Sequence, residues 1–253
     1  FLLAILSVAL VVTWLRPWIN QDWLTAPPTV WQWVSHALLI QDLVGQPAMT
    51  VGAWYVAIDF QLFVLLNVLV WGLWRLGVRR EAVLLPLAVL CLASQWSFNR
   101  DPGWDLWALY FFESYGVGAL LAWTQLGSAA GKVTAQRWLV LCLLSALIAG
   151  LVYPRPRLWI TVMVCGVLWW GAHRWQPSVR VARWLQRHSD QSYALFLTHF
   201  MPLVVFNALW MVSDGESPRW GVALLGLTWV ACLGWSVIFH RSVETLMRKT
   251  WRH

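Results

Sequence analysis

The chain has 253 residues, of which 60% are hydrophobic and only 11% are charged, and its net charge is +7. Because soluble domains carry about 25% charged residues, this composition argues against a soluble fold. The charged residues lie between long apolar runs, and a run of about 20 apolar residues is what a hydrocarbon core about 30 Å thick requires of a helix. The sequence therefore predicts an all-α, polytopic membrane helix bundle.

Eight apolar segments are predicted to be transmembrane helices, within a single membrane domain that covers residues 1–253. They are 1–15, 53–73, 82–96, 106–123, 138–153, 158–172, 193–212 and 220–239. The third, fifth and sixth are short, and Pro86 interrupts the third. We expect these three to be tilted, kinked or partly re-entrant.

The basic residues predict the orientation of the bundle. If the chain starts inside, the inner loops hold thirteen of the 18 Lys and Arg residues and the outer loops hold the remaining five. The outer five are Arg16, Arg100, Arg155, Arg157 and Arg219. By the positive-inside rule, this distribution favours a cytoplasmic C-terminus and an even number of crossings.

Two long connections are candidates for membrane-surface segments. The outer one, 17–52, contains an amphipathic stretch at 30–44 that we expect to lie on or dip into the interface, where it could cover a site. The inner one, 173–191, carries Arg174, Arg180, Arg183 and Arg187. Anionic lipid headgroups are its default partner, at about 1 kcal/mol per basic residue. The alternative partner is a phosphorylated cofactor from the cytoplasm.

Three ionisable residues, Asp59, Glu113 and His199, fall inside predicted spans. Such groups are costly in a membrane, so each indicates either a functional site or a structural pairing. Asp59 is five residues from Trp54, about 7 to 8 Å along the helix, and is expected to be wet enough to ionise. Its alternative is an ion pair with an arginine.

Glu113 lies at a similar predicted depth and is followed by Gly116 and Gly118. Glycines remove side-chain bulk, so they would let another helix or an acyl chain approach the backbone. His199 suits general acid or base chemistry near neutral pH, although a hydrogen-bonded core histidine is the structural alternative. Ser192 is about 10 Å from His199 along a helix, so the two cannot form a nucleophile–base pair.

Three motifs occur in a fixed order. Residues 54–63 read Trp-Tyr-Val-Ala-Ile-Asp-Phe-Gln-Leu-Phe, residues 192–199 read Ser-Tyr-Ala-Leu-Phe-Leu-Thr-His, and residues 241–246 read Arg-Ser-Val-Glu-Thr-Leu. Together they resemble the motifs of the acyltransferase 3 family of integral membrane acyltransferases, and residues 110–123 resemble its aromatic and glycine-rich helix. Three departures stand out: Asp59 replaces the usual Glu, Phe196 replaces a Tyr, and the final motif lacks its Pro.

The resemblance implies a membrane-bound O-acyltransferase of the bacterial inner membrane. Such an enzyme transfers an acyl group, most often acetyl, from cytoplasmic acyl-CoA to a hydroxyl of an envelope sugar, polysaccharide or lipid-linked sugar. It implies no metal, no tightly bound cofactor and no nucleic acid. The implied catalytic residues are His199, Asp59 and Glu113. The implied substrate-binding residues are Trp54, Gln61, Tyr115, Ser192, Tyr193, Arg241 and Glu244.

The resemblance also implies two further spans before Phe1, which would bring the predicted eight to the family's usual ten. Those spans carry an arginine and the histidine taken as the catalytic base, so we expect this chain to be N-terminally incomplete. Two other functions stay open. One is a proton-coupled transporter in which Asp59, Glu113 and His199 form a relay. The other is a non-catalytic scaffold in which the same residues pair helices.

Overall fold

The structure, a computed structural model, describes residues 1–17, 27–213 and 217–250, without the side chains of 244–250. The prediction of an all-α fold is confirmed, since these residues form helices and no strand. The α-helices are α1 Leu2–Leu15, α2 Val30–Ala37, α3 Ala53–Arg75, α4 Leu84–Trp96, α5 Ala108–Leu126, α6 Ala129–Val152, α7 Pro156–Arg174, α8 Val179–Thr198, α9 Phe200–Val212 and α10 Pro218–Thr250. Short 3₁₀ helices occur at Arg80–Val83, Phe98–Arg100 and Pro102–Trp104.

Four helical segments are long and apolar enough to cross a membrane. They are Ala53–Arg75, Arg80–Arg100, Ala129–Val152 and Pro218–Val243. The pair α8 and α9 makes a fifth if the two helices, bent by 52°, form one span. The prediction of eight spans is therefore not supported, although a helical membrane protein is. Helix α1 has only 14 residues, while polar residues such as Glu113 and Arg157 lower the mean hydropathy of α5 and α7.

The contacts divide the chain, which we predicted to be a single domain, into two compact units. Unit 1 comprises residues 1–54 and 177–253, and unit 2 comprises residues 55–176. In unit 2, α5 packs against α4, α6 and α7. Side chains from α4, α5 and α6 form its core, including Leu84, Leu87, Cys91, Phe112, Leu120, Leu139 and Cys142. The aliphatic and aromatic faces of these helices meet inside the unit, where their burial stabilises it.

Two local features of unit 2 follow from single residues. A Cβ atom at Gly116 would collide with the Sγ of Cys91, so glycine permits the close packing of α4 on α5. Pro86 is the third residue of α4. Because the first turn of a helix has no intrahelical partner for its N–H groups, proline costs no hydrogen bond there and leaves the helix unbroken.

In unit 1, α1 packs against α9, and α10 packs against both α8 and α9. Val8, Val12, Leu15, Val204 and Ala208 form the core between α1 and α9. The amphipathic stretch predicted at 30–44 forms α2 and the turns that follow it. Its polar residues Gln32, Ser35, His36 and Gln41 are buried, and their hydrogen bonds join this stretch to Pro47, Met49 and Ala53 later in the chain.

The bend between α8 and α9 has a covalent cause. Pro202 has no N–H to donate to the carbonyl of Thr198, and its ring crowds that carbonyl, so the helix cannot continue straight through this point. His199 is the residue at the break and keeps right-handed helical angles, with φ −59° and ψ −28°. Proline therefore places His199 at a junction whose backbone groups have lost part of their helical pairing.

Candidate functional site

His199 has a defined hydrogen-bonding state at the α8–α9 break. Its Nδ1 lies 2.8 Å from the carbonyl oxygen of Phe196 and 3.3 Å from that of Leu195. Carbonyls only accept, so Nδ1 carries a proton, and in the neutral tautomer with this proton Nε2 is an acceptor. None of the described residues hydrogen-bonds Nε2. The thiol of Cys232 on α10 donates to the His199 carbonyl at 3.3 Å, which ties the break to the neighbouring helix.

An apolar cavity of about 780 Å³ extends from His199 between α9 and α10. Its walls include Leu203, Phe206, Asn207, Trp210, Leu224, Thr228 and Cys232. Gly221 lies against the ring of Trp210, whose nearest atoms are 3.1 Å from the position that a Cβ on Gly221 would take. These two residues close the end of the cavity that is far from His199. A half-buried imidazole with a free Nε2 at the mouth of an apolar cavity can act as a general base on a ligand with an apolar tail.

The other predicted site residues of unit 1 are at its surface. Ser192 is exposed, and its hydroxyl donates to the Ser189 carbonyl at 2.7 Å rather than to His199. Tyr193 and Arg241 are exposed, as is Trp54 in the first turn of α3. Glu244 belongs to α10, but its side chain lies outside the described residues. The substrate-binding roles of these residues stay predictions.

In unit 2, Glu113 is the centre of a buried polar cluster. The residue is 0% exposed, and its Oε2 accepts from the hydroxyls of Ser114 at 2.8 Å and Thr161 at 3.2 Å. The two hydroxyls are themselves 2.8 Å apart, and the Glu113 N–H donates to Ser94 at 3.1 Å. Its second oxygen, Oε1, is buried without a partner among the described residues. A buried carboxyl with one unpaired oxygen is a site at which a proton can be held.

Asp59, Gln61 and Tyr115 are also in unit 2. The Asp59 carboxylate is exposed on α3 and close enough to the Tyr115 phenol to act on it electrostatically. The Gln61 amide has a structural partner: it accepts from the Ala108 N–H at 2.9 Å and donates to the Leu106 carbonyl at 3.2 Å. It therefore fixes the start of α5 on α3, whatever else it binds.

Three of the five arginines predicted on the outer side form one cluster in unit 2. Arg155 donates to the carbonyls of Asn99 and Arg100. Arg100 lies over the ring of Tyr153 at 3.9 Å, and Arg157 lies over those of Tyr110 and Phe111 at 4.8 and 4.5 Å. Cation–π contacts and carbonyl acceptors hold these charges within unit 2.

Some of the polar residues were not identified from the sequence. Ser114 and Thr161 belong to the Glu113 cluster, and Thr161 is 48 positions from Glu113 along the chain, so only helix packing reveals the contact.

Pro202 was a signal in the sequence for the bend at His199, since its position four residues after Thr198 marks the carbonyl that loses its donor. Among the described residues, no group of three His, Cys, Asp or Glu side chains is arranged to hold a metal ion.

No protein-family model, curated protein or solved structure matches the chain. The likeness to the acyltransferase 3 family thus depends on the three motifs and the helix at 110–123 alone.

Proposed function

We propose that the protein is a membrane-bound O-acyltransferase that transfers an acyl group from acyl-CoA to a hydroxyl of an envelope sugar. The observation that supports this most is the placement of His199, whose unoccupied Nε2 is at one end of a large apolar cavity. The cavity can take the acyl part of a thioester, and the imidazole is then next to the carbonyl carbon. A histidine buried only for packing would not require an adjoining cavity.

In this mechanism Nε2 of His199, rather than the histidine that the resemblance implies before Phe1, takes the proton from the sugar hydroxyl as the hydroxyl oxygen attacks the thioester carbon. The C–S bond then breaks, the ester forms, and the proton passes from the imidazolium to the departing CoA thiolate. The hydrogen bond from Nδ1 to the Phe196 carbonyl orients the ring and stabilises its protonated form. Asp59 and Glu113 belong to unit 2, and the catalytic role that the resemblance implies for them stays a prediction.

The test uses the native full-length protein in inside-out membrane vesicles supplied with labelled acetyl-CoA. Label is followed into envelope glycans, and release of CoA thiol is measured at the same time. Two variants are compared at matched expression: His199→Ala, and His173→Ala as the control. His173 also bonds a helical carbonyl through Nδ1, at 2.7 Å from Trp169 O, but it is exposed on α7.

We expect wild type and His173→Ala to transfer label equally and His199→Ala to lose at least about 100-fold of the rate, as removal of a general base does. Equal transfer by wild type and His199→Ala would remove His199 from the reaction. If wild type transfers no label from acetyl-CoA or from longer acyl-CoA donors, the O-acyltransferase proposal itself is wrong.

The Glu113 cluster favours a second candidate, a proton-coupled transporter. Its carboxyl is fully buried and Oε1 has no partner in the described part of the chain, so a proton there would turn an unpaired acceptor into a donor. Ionisable groups placed in this way mark proton pathways in membrane proteins. A transporter would move its substrate without releasing CoA thiol and would lose that movement in Glu113→Gln, so the thiol measurement separates the two functions.

A further inference from the structure

A second apolar groove, separate from the His199 cavity, runs between α5 and α7 in unit 2. Its volume is about 400 Å³. The lining is mostly apolar, and it includes Val117, Leu121, Ile160, Val164 and Leu168. The Ser114 and Thr161 hydroxyls, 2.8 Å apart, join the two helices at one end, and the lining extends from there to Leu121 on α5 and to Leu168 on α7, so the groove follows the helix axes.

The polar groups of the groove are concentrated at one end. Arg157, Ser114 and Thr161 line that end, and the two hydroxyls are bonded to the fully buried Glu113. The Nη1 of Arg157 is buried and has no hydrogen-bond partner among the described residues. An unpaired guanidinium N–H at the end of an apolar groove is a donor ready for an anion.

The length of the groove matches one leaflet of a bilayer. Arg157 and Leu168 are eleven residues apart, so the groove extends about 16 Å along α7. A hydrocarbon core about 30 Å thick gives each leaflet about 15 Å. The two helices of the groove pack against α4 and α6, which belong to the segments that are long and apolar enough to cross a membrane. Tyr110 and Phe111 flank the charged end of the groove. Aromatic residues with a cation are typical of the headgroup level.

Gly118 keeps the groove open. A Cβ built on Gly118 would meet no atom within 4 Å, whereas one on Gly116, two residues earlier, would collide with Cys91. The two glycines therefore act differently: Gly116 admits a neighbouring helix, and Gly118 leaves space on the groove side. A large side chain at Gly118 would fill this space without disturbing the packing of α4 on α5.

We propose that this groove binds one acyl chain of a membrane phospholipid whose anionic headgroup is held by Arg157. The acyl chain lies along Val117, Leu121 and Val164, and the phosphate accepts from the guanidinium of Arg157, which lines the charged end of the groove. The flanking Arg100 and Arg155 add positive charge at the same end and favour an anionic over a zwitterionic headgroup. This site does not depend on the acyltransferase proposal, since none of its residues belongs to the His199 cavity.

The experiment uses the full-length protein in nanodiscs made of phosphatidylcholine with a small fraction of phosphatidylglycerol that carries a diazirine midway along one acyl chain. After illumination, mass spectrometry locates the crosslinks. Competition with unlabelled phosphatidylglycerol and with unlabelled phosphatidylcholine tests the headgroup preference. The variants are Gly118→Phe, Arg157→Gln and, as a matched control, Gly226→Phe, because Gly226 is also an exposed helical glycine with no atom within 4 Å of its Cβ position.

We expect crosslinks concentrated on residues 117–121 and 160–168, and competition by phosphatidylglycerol only. Gly118→Phe should remove these crosslinks while Gly226→Phe keeps them. Arg157→Gln should weaken the preference for phosphatidylglycerol about fivefold, the effect of losing one basic residue near the surface. Crosslinks spread evenly over all lipid-facing helices, or unchanged in Gly118→Phe, would overturn the site. Equal competition by both lipids would overturn the role of Arg157.

Discussion

His36 shows how a single buried polar residue organises a loop. It is 0% exposed, its Nδ1 donates to the Gln32 carbonyl at 2.8 Å, and its Nε2 accepts from the Met49 N–H at 3.1 Å. Gln32 in turn donates to the Pro47 carbonyl at 2.8 Å. Because His36→Ala leaves a buried N–H without an acceptor and opens a cavity, we expect it to lower the free energy of unfolding by about 2 to 4 kcal/mol.

Thermal unfolding of the purified protein in detergent measures this loss. His173→Ala is the control, since His173 is exposed and bonds only a carbonyl of its own helix; its effect should be within about 0.5 kcal/mol. Equal midpoints for the two variants would show that the His36 contacts contribute nothing. The sequence did not identify His36, because its partner Met49 is in a segment without regular structure, and only the folded loop brings them together.

At the level of the helices, Pro202 determines where His199 lies. In Pro202→Ala the new N–H can donate to the Thr198 carbonyl, so we expect α8 and α9 to become one straighter helix. Spin labels at Gln186 and Val212, each thirteen residues from His199 and both exposed, report the change. A straight helix separates these positions by about 39 Å and a bend of 52° by about 35 Å.

The four native cysteines are buried, so introduced cysteines can be labelled selectively. Pro156→Ala is the control variant, since Pro156 opens α7 at a position where proline breaks no hydrogen bond. If the label distance in Pro202→Ala equals that in wild type, tertiary packing rather than proline causes the bend. Under the proposed mechanism, straightening also displaces His199 from the cavity and lowers acyl transfer, while the thermal midpoint stays unchanged or rises.

For the whole molecule, sequence and structure agree best where a helix is uniformly apolar. The span predicted at 53–73 corresponds to α3, Ala53–Arg75, because a continuous apolar run of this length is compatible only with a membrane-spanning helix. They disagree at α5 and α7, which were predicted as spans and are long enough at 19 residues each, but are not apolar enough to count among the candidate spans. Hydropathy treats Glu113 as exposed to lipid, whereas the fold buries it against Ser114 and Thr161. Such pairing between helices is invisible in a sequence read one segment at a time.

The membrane crossing of α5 is therefore the feature to measure. Helix α5 has 19 residues, about 28 Å, which is enough to cross, and Glu113 has hydroxyl partners inside the bundle. Lys132 and Arg137 soon follow Leu126, and the positive-inside rule places such charges in the cytoplasm. We expect a membrane-impermeant maleimide added to intact cells to label Asp105→Cys and to spare Leu126→Cys, which should react only after the membrane is opened.

Both positions are exposed at the two ends of α5, so the reagent can reach either one if it is on the same side of the membrane. Leu76→Cys serves as the reference for the inner side, because it follows α3 and precedes Arg79 and Arg80. Equal labelling of Asp105→Cys and Leu126→Cys in intact cells would show that α5 does not cross. Lys132 and Arg137 would then lie on the outer side, and the basic residues would no longer predict the orientation of this part of the chain. Protection of Leu126→Cys would instead show that a buried carboxyl with internal partners is compatible with a crossing helix, which is the physical condition that lets unit 2 keep Glu113 within a membrane.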